Sequence, residues 1–130
     1  MKLSKPECIW KTQSILGEGV LWVSNLKSIF FVDIKKKQIL ILNTKTKKKK
    51  ILKVNEEIGF ISHVKKNIFI LGLESGIKIV DLKKMKTIFF LKIEKGIPDN
   101  RINDGKIDPS GRLWFGTMDN SEKKKTGSLY

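Results

Sequence analysis

The apolar residues of this chain fall into short runs separated by polar clusters. They read VLWV (20–23), IFFV (29–32), ILIL (39–42), IFIL (68–71), IFFL (88–91) and LWF (113–115). The runs are β-branched and aromatic, and none repeats at i, i+3, i+4, i+7 over a helical length. That pattern predicts strands. Runs that are apolar at every position predict strands covered on both faces, as in stacked sheets.

The runs also repeat. KSIFFVDI (27–34), KNIFILGL (66–73) and GRLWFGTM (111–118) align. Ile29 and Ile68 are 39 residues apart, and Ile68 and Leu113 are 45 apart. Each is preceded by a further strand-like segment, EGVLWV, IGFISHV or NDGKID, and followed by another, KKQILILNT, SGIKIVD or TGSLY. Turn residues stand between them: Asn25, Glu74-Ser75-Gly76 and Asp108-Pro109-Ser110-Gly111. In the last, Pro fixes φ and Gly supplies a positive φ. Several strands in a unit of about 40–45 residues predict an all-β fold of propeller blades. A length of 130 residues gives about two and a half to three such blades, whereas propellers close with four to eight. The expectation is one partial β-propeller over residues 1–130, truncated at its C-terminal side.

Composition changes this picture little. The net charge is +14, which invites a nucleic-acid partner. The positive residues are nearly all Lys, however, and Arg101 and Arg112 are the only arginines. Arg, with its planar fork, is the better reader of phosphates and bases. Lys35–Lys37, Lys47–Lys50 and Lys123–Lys125 fall between the runs and are read as solvated loop charge. No apolar run approaches the roughly 18 residues of a membrane span, and MKLSKPECIW has no leader-like apolar core. The lone Cys8 reads as a small buried hydrophobe. The expectation is a cytoplasmic protein with neither a nucleic-acid nor a membrane partner.

Two segments carry candidate chemistry. In LGEGV (16–20), Glu18 lies between two glycines that let the backbone turn and approach a ligand. It is either a loop carboxylate facing water or a ligand for a hard cation. In RINDGK (101–106), strand alternation puts Arg101 and Asn103 on one face and Ile102 and Asp104 on the other. The pair could clamp a carboxylate or hydroxyls, or Asn-Asp-Gly could form its own capped turn. Asp33 reads as a turn cap and His63, the single histidine, as structural. Trp10, Trp22, Trp114 and Phe115 read as core.

LGEG (16–19), FFVDI (30–34) and RINDGKIDPSGRLWFGTM (101–118), taken at these separations, resemble the senescence marker protein / gluconolactonase / luciferin-regenerating-enzyme family, regucalcin included. The resemblance runs over essentially the whole chain, against the family's N-terminal part. It implies a six-bladed propeller and a lactonase that uses a divalent cation, Ca²⁺ first and Zn²⁺, Mn²⁺ or Mg²⁺ as alternatives. Glu18 matches a metal-ligating glutamate. Arg101 and Asn103 match residues that contact a sugar lactone. An acidic substrate contact is expected just after Gly116-Thr117-Met118. Strict spacing there falls on Ser121, and the neighbouring Glu122 is the acidic residue available. Val20 replaces the proline usual after this glutamate. The family's other two metal ligands, one of them the catalytic acid/base aspartate, match nothing in this chain. The chain alone is therefore expected to be inactive, or to be completed by a second half-propeller chain or by self-association.

Overall fold

The computed structural model describes residues 4–130; Met1–Leu3, the first residues of the segment read for a leader, lie outside them. Two four-stranded antiparallel sheets run in simple up-and-down order. The first holds β1 (Gly17–Val23), β2 (Ser28–Asp33), β3 (Gln38–Asn43) and β4 (Lys49–Lys53). The second holds β5 (Ile58–Lys65), β6 (Ile68–Leu73), β7 (Gly76–Asp81) and β8 (Lys86–Lys92). A third sheet pairs β9 (Asn100–Ile107) with β10 (Leu113–Asp119). The Ser128–Tyr130 segment lies along β10, where Phe115 and Tyr130 exchange both backbone bonds. These are propeller blades, each begun by its innermost strand: β1, β5 and β9 lie side by side, with β5 in contact with both neighbours.

The apolar runs fold this way because neighbouring sheets bury each other's faces. Between the first two sheets, Phe30, Val32, Ile34 and Ile39 meet Ile58, Ile61, Phe69 and Leu71. Phe30 and Phe69 pack at 4.9 Å between ring centroids. A smaller cluster of Phe60, Ile77, Ile102 and Phe115 joins the second sheet to the third. Asp33 caps as expected. Its buried carboxylate accepts the N–H groups of Ile15, Leu16 and Lys36, so it also pins the segment entering β1. His63 is structural, its ring tilted against Phe69 at 5.0 Å between centroids, with Nε2 3.0 Å from the Lys66 carbonyl.

Several expectations are corrected. Each complete sheet has a fourth strand, and β4 falls on the lysine run. Lys49 and Lys50 are strand residues, not loop residues, and they charge an outer edge that would otherwise invite pairing. The run Ile88–Leu91 is not covered on both faces: its four side chains are 45–56% exposed on β8. Trp22 and Trp114 are half exposed rather than core. Trp114 instead donates its indole N–H to Asp108. Cys8 is exposed, not buried. Among the described residues, no helix is long and apolar enough to cross a membrane.

Candidate functional site

The three innermost strands share a defect near their N-terminal ends. Pairing slips by one residue between Glu18 and Leu21 in β1, between Ile58 and Phe60 in β5, and between Ile102 and Asp104 in β9. Each slip is a β-bulge, which bends a strand and redirects a side chain. Gly19, at φ 64°, serves the first. Gly59, the extra residue of the second, is required by crowding. A Cβ there would stand 2.3 Å from the Asn103 carbonyl oxygen and 2.5 Å from that of Ile102. Asn103 is the extra residue of the third. Simple alternation across β9 therefore fails at the residue where it was expected to place a functional side chain.

Glu18 and Asn103 are both exposed at this end of the inner strands. The strand holding Glu18 is not buried, as its neighbour Val20 is 78% exposed. The Glu18 carboxylate makes no hydrogen bond or ion pair among the described residues.

Arg101 behaves differently. It is 3% exposed, and its guanidinium is committed to protein partners. Nε donates to Asn120 Oδ1 at 3.0 Å, and Nη1 donates to the Ile102 carbonyl at 3.1 Å and to Asn103 Oδ1 at 3.2 Å. The Glu57 carboxylate lies 3.6 Å from Nε. Lys35 completes the set, donating to Glu57 at 2.9 and 3.2 Å and to Asn120 Oδ1 at 3.5 Å. A buried guanidinium needs such partners, because an unpaired charge out of water is expensive. Sequence alone does not single out Lys35, Glu57 or Asn120. The available signal is indirect: a carboxylate just before β5 and an amide just after β10, both close to an arginine that must be paired.

After β10 the chain turns around Asp119, which is 2% exposed. One carboxylate oxygen accepts the Ser121 hydroxyl and the N–H groups of Lys123 and Lys124; the other, Oδ1, has no partner among the described residues. The Ser121 hydroxyl foremost, then the two backbone N–H groups, hold the Asp119 pKa down to about 2 against the opposing effect of burial. Asp108 is held at about 2 as well, by the Trp114 indole first and then by Arg112. Ser121 is thus occupied with Asp119. Glu122 is exposed in a left-handed turn at φ 60°, and its N–H donates to the Asp119 carbonyl. The structure brings Arg101 and Asn103 together; it shows no contact between either of them and Glu18 or Glu122.

Two hollows adjoin these residues. One, of about 550 Å³, runs along the inner strands past Val20, Trp22, Ser62, His63, Asp104 and Lys106. The other, of about 440 Å³, is lined by Glu74, Asp99, Asp119, Asn120 and Ser121. Among the described residues, no three His, Cys, Asp or Glu side chains converge as a metal site. Glu18 fits a hard cation as a single free carboxylate beside an uncrowded glycine, and Ca²⁺ takes six to eight oxygens. One carboxylate by itself does not close such a site.

Comparison with known proteins agrees with this geometry. Regucalcin from Xenopus laevis is 28% identical over 118 residues, covering 91% of this chain and 40% of that protein. The 6-deoxy-6-sulfogluconolactonase of Pseudomonas putida is 28% identical, covering 95% of this chain and 42% of that enzyme. Among solved structures, a luciferin-regenerating enzyme superposes with a TM-score of 0.82 at 31% identity, over 90% of this chain and 42% of that one. A regucalcin from Agrobacterium tumefaciens, described as a calcium-binding protein, gives a TM-score of 0.87 at 23% identity and supports the fold. The chain spans about two fifths of the length of these relatives. The family model for the SMP-30/gluconolactonase/LRE-like region matches residues 16–130, and with the paired blades and bulged inner strands it establishes that the chain belongs to that family.

Proposed function

We propose that this chain supplies the first blades of a divalent-cation-dependent sugar-lactone hydrolase. The observation that carries the reading is the placement of Glu18 and Asn103, both exposed, on bulged inner strands at one end of the blades. Glu18 is the proposed cation ligand. Ca²⁺ suits an oxygen donor best, and a solved relative is described as calcium-binding. Zn²⁺, Mn²⁺ and Mg²⁺ are the alternatives. A bound cation supplies Lewis-acid polarisation of a carbonyl. Asn103, held by Arg101, and Glu122 are proposed to orient the sugar ring, which aligns the carbonyl for attack by water. No residue of this chain is assigned as the general base. That role is proposed for blades that lie outside the matched two fifths.

The test supplies the remaining blades, fused or as a second chain, and assays gluconolactone-type substrates with and without Ca²⁺, Zn²⁺ or Mn²⁺. Metal-dependent hydrolysis that falls at least 100-fold in Glu18→Gln is the expected result. No metal-dependent hydrolysis, with Glu18→Gln equal to the parent, would overturn the proposal.

A second reading is a non-catalytic half-propeller that pairs with another half-propeller or with itself. The exposed apolar row Ile88–Leu91 favours it, since an uncovered apolar patch marks an interaction surface or an aggregation site. Light scattering of the purified chain decides this. A folded dimer supports pairing, and a folded monomer excludes self-association.

A further inference from the structure

We propose that β4, the outer edge of the first sheet, is a docking edge for an acidic, extended segment of another protein, which joins the sheet as a further strand.

The backbone of β4 is open for pairing. The strand ends its sheet, with β3 on one side and no strand on the other among the described residues. The Asn43 N–H donates to the Lys48 carbonyl and the Val54 N–H to the Lys37 carbonyl, each at 2.9 Å. Residues of an antiparallel pair alternate between bonded and non-bonded positions. Between those two ties, Lys50 and Leu52 therefore bond toward Ile41 and Ile39, their register partners. The N–H and C=O groups of Lys49, Ile51 and Lys53 point away from the sheet. Such a row of free backbone groups is what an added strand pairs with.

The side chains select the partner. Nine lysines and no Asp or Glu lie between Ile34 and Asn55. Lys45, Lys47, Lys48, Lys50 and Lys53 are exposed and make no side-chain hydrogen bond or ion pair among the described residues. Lys49 lies over the Trp10 ring at 5.7 Å. Strand alternation puts Lys49 and Lys53 on one face of β4 and Lys50 on the other, so an added strand meets positive charge on both faces. Opposite charges across a strand pair are favourable and like charges are not. A second copy of this edge is thus repelled, and an acidic strand is accepted. A nucleic acid fits less well. It has no strand to add, and the one aromatic ring at this edge on which a base could stack already carries Lys49. The outer edge of the second sheet offers a contrast within the same chain, because β8 presents the exposed apolar row Ile88–Leu91 instead.

The test is ¹H–¹⁵N NMR of the 130-residue chain, titrated with a capped peptide of alternating Glu and Thr long enough to span β4. A matched peptide with D-Thr at every Thr keeps the charge but disrupts the pleat that strand addition needs. The all-L peptide should slow amide exchange at Lys49, Ile51 and Lys53 at least tenfold and leave β8 unaltered. It should bind at least tenfold more tightly than the D-Thr form, and more weakly as salt rises. Ile51→Pro removes one outward N–H and keeps every lysine, at a kind of position where an edge strand tolerates proline. It should weaken binding at least tenfold. If Ile51→Pro does not fold, Lys49→Glu together with Lys53→Glu should lose the acidic peptide and take up its Lys–Thr counterpart. No binding of the acidic peptide, equal binding of the two peptides, or unchanged exchange at the three amides would overturn the proposal. So would tighter binding of a thymidine oligonucleotide of equal charge, which would make the edge a general polyanion surface.

Discussion

The junction between the first and second sheets and the junction between the second and third are built from different materials. The first is apolar and continuous, with twelve buried hydrophobic residues gathered in one cluster. The second has four. It adds buried polar groups in their place: Asn100, Arg101, Thr117 and Asp119 all lie on β9 or β10. Apolar burial contributes roughly in proportion to area and tolerates small shifts. Hydrogen-bonded charge contributes little net stability but demands exact partners. The first junction thus holds the chain together, and the second fixes geometry beside the candidate site.

The largest test of that contrast is Phe69→Ala. Phe69 is 1% exposed and packs on Phe30, so its loss should cost about 3–5 kcal/mol, read as a fall in the urea midpoint of the whole chain. Gly59→Ala should cost less, about 1–3 kcal/mol, and act elsewhere. Its Cβ meets the backbone of β9, so hydrogen exchange should accelerate in β9 and β10 while β2 and β3 keep their protection. Equal loss of protection in all three sheets would mean that the two junctions are not separable.

Acid should also separate them. The pKa values of Asp108 and Asp119 are both lowered in the folded chain, from 3.8 to about 2. A carboxylate with a lowered folded pKa contributes stability above its unfolded pKa and loses it as pH falls through the folded value. That contribution is therefore present above about pH 4 and lost progressively toward pH 2, in the third sheet. Asp119→Asn should flatten this acid limb, followed by exchange of the β10 amides between pH 5 and 2. The smallest effect is expected for Trp22→Ala. Trp22 is 50% exposed and lines the hollow along the inner strands, so the substitution should change stability by no more than about 0.5 kcal/mol in a urea melt.

Much of the first junction can be read from the chain. The repeated runs from Ile29, Ile68 and Leu113 fall on β2, β6 and β10 in matching places, because a strand buried between sheets must be apolar along its length. Asp33 is legible as a cap for a similar reason: the polar end of an apolar run needs a local partner. The β4 strand is less legible, since an outer edge strand carries lysine and reads like a loop. Trp22 and Trp114 mislead because an aromatic side chain suits a half-exposed surface as well as a core. At the candidate site, Glu18 and Asn103 can be named from the motif, but the bulge at Asn103 cannot. Alternation assumes one residue opposite one, and the slip depends on how β9 meets β10 and how closely Gly59 approaches.

The sequence by itself determined the repeating strands, the blade order and the family, because periodicity and turn residues act over a few neighbours. Only the tertiary structure decided that Arg101 is enclosed and that its guanidinium faces Asn120, Asn103 and Glu57. Those partners lie up to 44 residues from it along the chain, and Lys35 farther still. A buried charge is satisfied by whatever the fold brings within about 3 Å, and no local pattern specifies which groups those are.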